Sequence, residues 1–366
     1  MSPIKIRRLI LPLLIIGVIL LLALGYYLLR PRPYQKQENI LELDADGDIN
    51  ILLIGKDARA LNPALDRGGT TRIPREKVAH ADLIVVGHLN LNRNRGNLLA
   101  IPRDLLVTVP GVTTNASPTD FNAMEKITHT YAIGGEKLLR RTLENLLGVK
   151  IHRFITLDFD SFRMTFRLLR SLLGSIDLGP VKLSDPDQAL KFVRRRNGLI
   201  YDDLDRCRNT LNLIKTVARR LWRFANTRLA EITLQRIFSI LGTDTDLTLP
   251  ETRQLISLLH QQSFSPDSIR TAVLVSEGKP VTLDRYATNL SCYLPVYPEI
   301  ENQIEHYLKD NESIPALNFM TQQPYPSPAY LKQNYDLLPD YWTDTLERQR
   351  IVKKVLNLPA PSSESN

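Results

Sequence analysis

The longest apolar run in the chain covers residues 9–29, "LILPLLIIGVILLLALGYYLL", 21 positions without a charge. At 1.5 Å per residue such a helix spans roughly 30 Å, the thickness of a hydrocarbon core. It is too long for a cleaved signal peptide and ends in Tyr26 and Tyr27, which suit a membrane interface. The pattern predicts an uncleaved anchor. Residues 30–47, "RPRPYQKQENILELDADG", read as a polar linker. Beyond it the apolar runs become short and alternate with helical periodicity. Strands are predicted at 50–54, 83–90 and 97–101, the last two joined by the turn "NRNRG" as a hairpin. Helical spacing follows over 135–147, closed by Gly148, then a strand in "HRFITLDF" and an amphipathic helix in "SFRMTFRLLRSLLG". Further helices are expected over 204–224 and 249–261, and a late strand in "SIRTAVLV". Interleaved strands and helices make the fold class α/β.

Charge changes the picture next. The chain is 366 residues long with a net charge of +8, a balance that fits an anionic partner: phosphate groups, anionic lipid or nucleic acid. Cys207 and Cys292 are too few for a disulfide framework, and the six histidines show no His-Glu-x-x-His spacing.

The segment "LLAIPRD", residues 98–104, sets Arg103 and Asp104 just where a buried strand stops. In an antiparallel hairpin the end of the later strand lies beside the start of the earlier one, so Arg103 and Asp104 fall near Asp82. If strand 50–54 joins the hairpin antiparallel to 83–90, Asp57 and Arg59 leave at the same edge. Facing carboxylates suit a hard cation such as Mg²⁺, and guanidinium forks beside it suit phosphate oxygens. That combination predicts a metal-assisted site for a phosphate or pyrophosphate ester. The alternative is a row of charges that only solvates a sheet edge. A second basic cluster, "ALKFVRRRNG", puts Arg194 and Arg196 on one face of an extended segment, able to clamp a diphosphate; the alternative there is a solvated loop or a patch for anionic lipid.

These segments resemble the LytR-CpsA-Psr (LCP) family of bacterial cell-envelope proteins. The matching stretches run in the family's order: the N-terminal anchor, "ILLIGKDAR", "HADLIVVGHLN", "LLAIPRDLLVTVPG", "KITHTYAIGGEKLLRRTLENLLGVKIHRFITLDF" and "ALKFVRRR". The resemblance implies an α/β/α sandwich around a central mixed sheet, outside the cell, on one N-terminal transmembrane helix. It also implies the division into a short cytoplasmic stretch (1–8), anchor (9–29), linker (30–47), catalytic domain (48–295) and a partly disordered C-terminal extension (296–366). The orientation comes from the resemblance, because Lys5, Arg7 and Arg8 before the anchor balance Arg30, Arg32 and Lys36 after it.

The implied activity is phosphotransfer with Mg²⁺. A glycopolymer leaves a polyprenyl diphosphate carrier and joins peptidoglycan as a phosphodiester, while the polyprenyl chain lies in an apolar tunnel. Carried over residue by residue, Asp57 and Asp82 are the metal-associated aspartates. Arg59, Arg103, Lys126, Arg194, Arg196 and Arg206 bind the diphosphate. Asp57, Asp82 and Arg103 form the catalytic group, with Asp82 or Asp57 as the base. The expected partners are a lipid-linked glycan, peptidoglycan and membrane lipid, and no nucleic acid. The chain departs from the family at His80, where an arginine is usual, and in "DLDRCRNT", whose spacing is altered and which lacks the glutamine. Those departures leave a second reading, a binder of lipid-linked glycan without transfer. A third, a membrane-bound transcription attenuator, lacks a helix-turn-helix in this sequence.

Overall fold

The computed structural model describes residues 41–57, 79–111, 124–179, 181–195, 202–225, 227–283, 288–296 and 299–313, with 25, 28 and 29. The expected anchor lies almost wholly outside the described residues; among these, no helix is long and apolar enough to cross a membrane. Arg59 and Arg196 are also outside them.

Five strands form the central sheet: β1 (Asp48–Asp57), β2 (His80–Asn90), β3 (Arg95–Ile101), β6 (Arg153–Leu157) and β9 (Arg270–Val273). Their order is β6-β1-β2-β3-β9. The expected hairpin is present, Ile84 opposite Ile101, and β1 runs antiparallel to β2 beside it. β6 and β9 are parallel to their neighbours, so the sheet is mixed.

Alternation along each strand divides the apolar residues between two faces. Leu52, Ile54, Ile84, Val86 and Leu99 meet helix α1 (Ile127–Leu147) through Leu139 and Leu143. α1 is broken at Gly134 and Gly135, the latter at φ +65°, where any Cβ would be strained. On the other face Ile49, Leu91 and Ile269 pack with Leu255 and Leu259 of α6 (Leu249–Gln261), beside Trp222 at the end of α4 (Asp202–Trp222). A third layer gathers α2 (Phe159–Leu173), α3 (Pro186–Arg194) and α4 around Phe166, Ala189 and Leu213, with the short strands β7 (Ile176–Asp177) and β8 (Lys182–Leu183).

Among the elements beyond the sequence reading are α5 (Arg228–Leu241), the hairpin of β10 (Ser276–Leu283) and β11 (Thr288–Pro295), and α7 (Glu299–Leu308). α7 corrects the boundary expected at 295, because Ile300, Ile304 and Tyr307 are buried in the same core as β1 and β2. Residues 189–194 are corrected too. Asp185 caps the Gln188 N–H and Pro186 opens a helix, so Arg194 ends α3 rather than lying on an extended segment.

Candidate functional site: a basic mouth on an apolar cavity

One edge of the sheet gathers the charged residues. β1, β3 and β6 end there and β2 begins there, the edge where open α/β sheets leave room for ligands. Asp82 owes its position to a β-bulge: Leu83 pairs with Gly55 and Ala81 with Lys56, leaving Asp82 as the extra residue. Ala81 then enters the core on the α1 face, while Asp82 and Leu83 line a cavity on the other side. Gly55 is required here, since a Cβ would stand 2.9 Å from that of Leu83.

Arg103 lies in the turn after β3. Its carbonyl accepts from the Thr128 N–H at 3.0 Å, and that of Leu105 accepts from the Ile127 N–H at 2.8 Å. The turn thus caps the free N–H groups of α1, and the Thr128 hydroxyl ties α1 to Ala81. Tyr293 of β11 donates its N–H to the Asp104 carbonyl, fixing the turn from a third side. The Arg103 guanidinium is bracketed by two carboxylates: Nη1 donates to Asp82, and Nε is 3.5 Å from Asp104. Lys126, in the short strand β5 (Glu125–Lys126) that pairs with β4 (Leu106–Val107), donates to Asp104 at 3.0 Å and to the Ser291 carbonyl at 2.7 Å. Asp104 therefore positions both cations.

The cavity behind this edge has a volume of about 340 Å³. Its walls are apolar, with Leu53, Phe162, Leu190, Val193 and Leu213 among them; its polar lining includes Asp82, Arg103, Arg194 and Arg206. That volume is at the low end of the ~300–1,000 Å³ of ligand sites. The amphipathic helix α2 serves two purposes, because Phe166 packs in the core while Phe162 faces the cavity. Arg206 is 4% exposed and paired with Asp203 at 2.8 Å, one helical turn earlier. Arg194 is exposed and lies over the Phe159 ring, 4.4 Å from its centroid. Arg208 pairs with Asp205 on the same helix.

Four expected residues, Asp82, Arg103, Arg194 and Arg206, thus share one cavity. Lys126 joins through Asp104, and Asp57 stands at the same edge opposite His80. Burial pushes the His80 imidazole below its ordinary value, His129 adds to this, and Asp82 and Asp57 oppose it. The His80 ring meets that of His129 edge-on at 5.3 Å. Asp57 and Asp82 bring hard carboxylate oxygens to the same edge from two paired strands. Two charged residues of the cavity escaped the sequence reading. Lys56 donates to Asp244 at 2.8 Å, and Asp158 caps α2 through a capping box. For Asp158 the signal is Ser161 three residues on; Lys56 has only its place after Gly55.

Fold and cavity define an α/β domain with a basic mouth on an apolar cavity. The chain matches the LytR_cpsA_psr family model over residues 30–166. It is 24% identical over 264 residues to the polyisoprenyl-teichoic acid–peptidoglycan teichoic acid transferase TagU of Oceanobacillus iheyensis, covering 68% of this chain and 72% of that one. It is 30% identical over 132 residues to the transferase TagT of Bacillus subtilis, covering 36% and 35%. The fold matches the crystal structure of B. subtilis TagV with a TM-score of 0.53 at 19% identity, over 72% of this chain and 98% of that one.

Proposed function

We propose that this protein transfers a glycopolymer from a polyprenyl diphosphate carrier to a peptidoglycan hydroxyl, leaving a phosphodiester. The observation that carries the reading is the joining of three arginines, Arg103, Arg194 and Arg206, to one apolar cavity. The cavity takes the first isoprene units, and the guanidinium forks hold the diphosphate. The acceptor hydroxyl attacks the phosphorus that bears the glycan, a P–O bond to the polyprenyl phosphate breaks, and polyprenyl monophosphate leaves. Asp82 or Asp57 takes the hydroxyl proton. Arg103 stabilises charge on the phosphoryl oxygens, which requires it to exchange part of its pairing with Asp82 for the substrate. Lys126 supports it through Asp104, and Arg59 and Arg196 complete the diphosphate set. Mg²⁺ held by Asp57 and Asp82 would neutralise the diphosphate. Residues 9–29 anchor the chain in the cell membrane with the domain outside, beside its lipid-borne substrate.

The test is release of polyprenyl monophosphate by the full-length protein in detergent, given a polyprenyl diphosphate-linked saccharide and a peptidoglycan oligomer. Release that needs metal and fails in Arg103→Ala, with the saccharide joined to the acceptor, supports transfer. A second reading, binding without transfer, is favoured by the Asp82–Arg103 pair and by His80. Binding of the lipid-linked saccharide with no release, where a competent relative turns over, would select it.

A further inference from the structure

The opposite edge of the sheet, about six residues or ~20 Å along β2 from Asp82, holds a second cluster. Asp48 begins β1, His88 lies near the end of β2, and Asp310 follows α7. His88 and Asp310 are buried and Asp48 half-buried, and one ligand atom from each lies within 4.8 Å of the others. His88 Nε2 is 3.3 Å from Asp310 Oδ2 and 3.9 Å from Asp48 Oδ1.

The proton on His88 can be located. Asn50 donates its Nδ2 to the Lys150 carbonyl at 2.7 Å, which turns its Oδ1 toward His88 Nδ1 at 2.9 Å. An amide oxygen only accepts, so Nδ1 carries the hydrogen. The other nitrogen, Nε2, then faces two carboxylates. Asp310 is held from behind: its Oδ1 accepts from Asn97 at 3.1 Å and from Arg270 at 3.3 Å, and its carbonyl accepts from Arg93 at 2.8 Å. Its backbone is in the left-handed region, φ +50°, which aspartate tolerates better than most residues. Asp48 Oδ1 is buried without a hydrogen-bond partner.

We propose that Asp48, His88 and Asp310 form a divalent metal site of the zinc class that clamps the end of α7 to the sheet. Ligands about 2.0–2.2 Å from a tetrahedral zinc lie roughly 3.3–3.6 Å apart, and the two separations at His88 Nε2 come within a few tenths of an ångström of this. The hydrogen bond from Nδ1 to Asn50, and those from Asn97 and Arg270 to Asp310, are the outer contacts that orient metal-binding histidines and carboxylates. The imidazole ligand separates this site from the all-oxygen pair Asp57 and Asp82, so Mg²⁺ should not compete for it.

The test strips the full-length protein with a chelator and adds Zn²⁺ alone, measuring bound metal by equilibrium dialysis and melting temperature in parallel. One tightly held ion per chain, a higher melting temperature and no displacement by excess Mg²⁺ are expected. Asp48→Asn keeps the shape of the side chain and should weaken binding more than tenfold, with little change in metal-free melting. The double variant Asp57→Asn/Asp82→Asn should bind as the parent does. Lack of stoichiometric binding, equal binding by Asp48→Asn, or loss of binding in the double variant would each overturn the proposal. Absent binding together with a doubly protonated His88 by NMR would assign the cluster to an imidazolium between two carboxylates.

Discussion

The two edges of the same sheet handle charge in opposite ways. At the cavity edge Arg103 and Asp82 are each 22% exposed, paired with one another and open to a ligand on the remaining side. At the far edge His88, Asn97 and Asp310 are buried, and their bonds run to neighbours inside the protein. Slack in the first set leaves its cations free to exchange partners, as the proposed transfer requires; the bonds of the second run inward and set where α7 lies. The same side-chain chemistry thus gives a site in one place and a clamp in the other, and exposure decides which.

Arg206 departs furthest from that division, since it lines the cavity yet is buried with Asp203. Removing one partner of such a pair leaves an uncompensated charge, at a cost of about 3–5 kcal/mol. Asp203→Asn should therefore show the largest loss of stability in chemical denaturation, and Arg206→Met a comparable one, because each leaves one buried charge without its partner. Equal, small losses in both would mean that water reaches the pair and that Arg206 belongs with the open cations.

Arg103 should behave in the reverse manner. Arg103→Ala should cut turnover about 10²–10³-fold, the usual cost of one preorganised donor to a developing oxyanion. Its effect on denaturation should stay at about 1 kcal/mol, as for ion pairs that water still reaches. Arg103→Lys keeps the charge without the fork and should recover only part of the rate. A large stability loss would place Arg103 with the clamp instead. Between these effects, Val193→Phe should fill part of the cavity wall and raise KM for a long polyprenyl substrate more than for a short one, leaving kcat near the parent's. A uniform effect on both lengths would mean that the lipid does not enter there.

The cavity edge was the more legible of the two from sequence. "NRNRG" between two apolar runs sets the hairpin, and hairpin geometry alone brings Arg103 to Asp82. The bulge that turns Asp82 into the cavity leaves no local mark, because it depends on Gly55 across the strand pair. Arg194 was read on an extended segment although Asp185 and Pro186 signal a helix start. The far edge was invisible: His88 and Asp310 lie 222 positions apart, and no periodicity relates them. α7 lay hidden for a similar reason, since its apolar residues find their partners only across the assembled core.

Glu251 offers the finest test of the contrast, because it lies on the clamp side and carries two duties. Its carboxylate completes the capping box of α6 with Thr248 and pairs with Arg153 at 2.6 Å, at the start of β6. Burial raises its pKa, but Arg153 and Thr248 outweigh this and hold the carboxyl below its ordinary 4.5. A depressed carboxylate contributes stability that is complete above the unfolded value and is lost as pH falls through the folded one. Glu251→Gln retains a capping side chain and loses the ion pair of a buried carboxylate, so it should destabilise near neutral pH, by less than the ~3–5 kcal/mol of a fully buried pair because water reaches Arg153. The gap between parent and variant should then narrow as pH falls below 4.5, as the parent's carboxylate takes up its proton. A gap independent of pH would assign the effect to the cap alone, and the clamp edge would then owe less to charge than its buried pairs suggest.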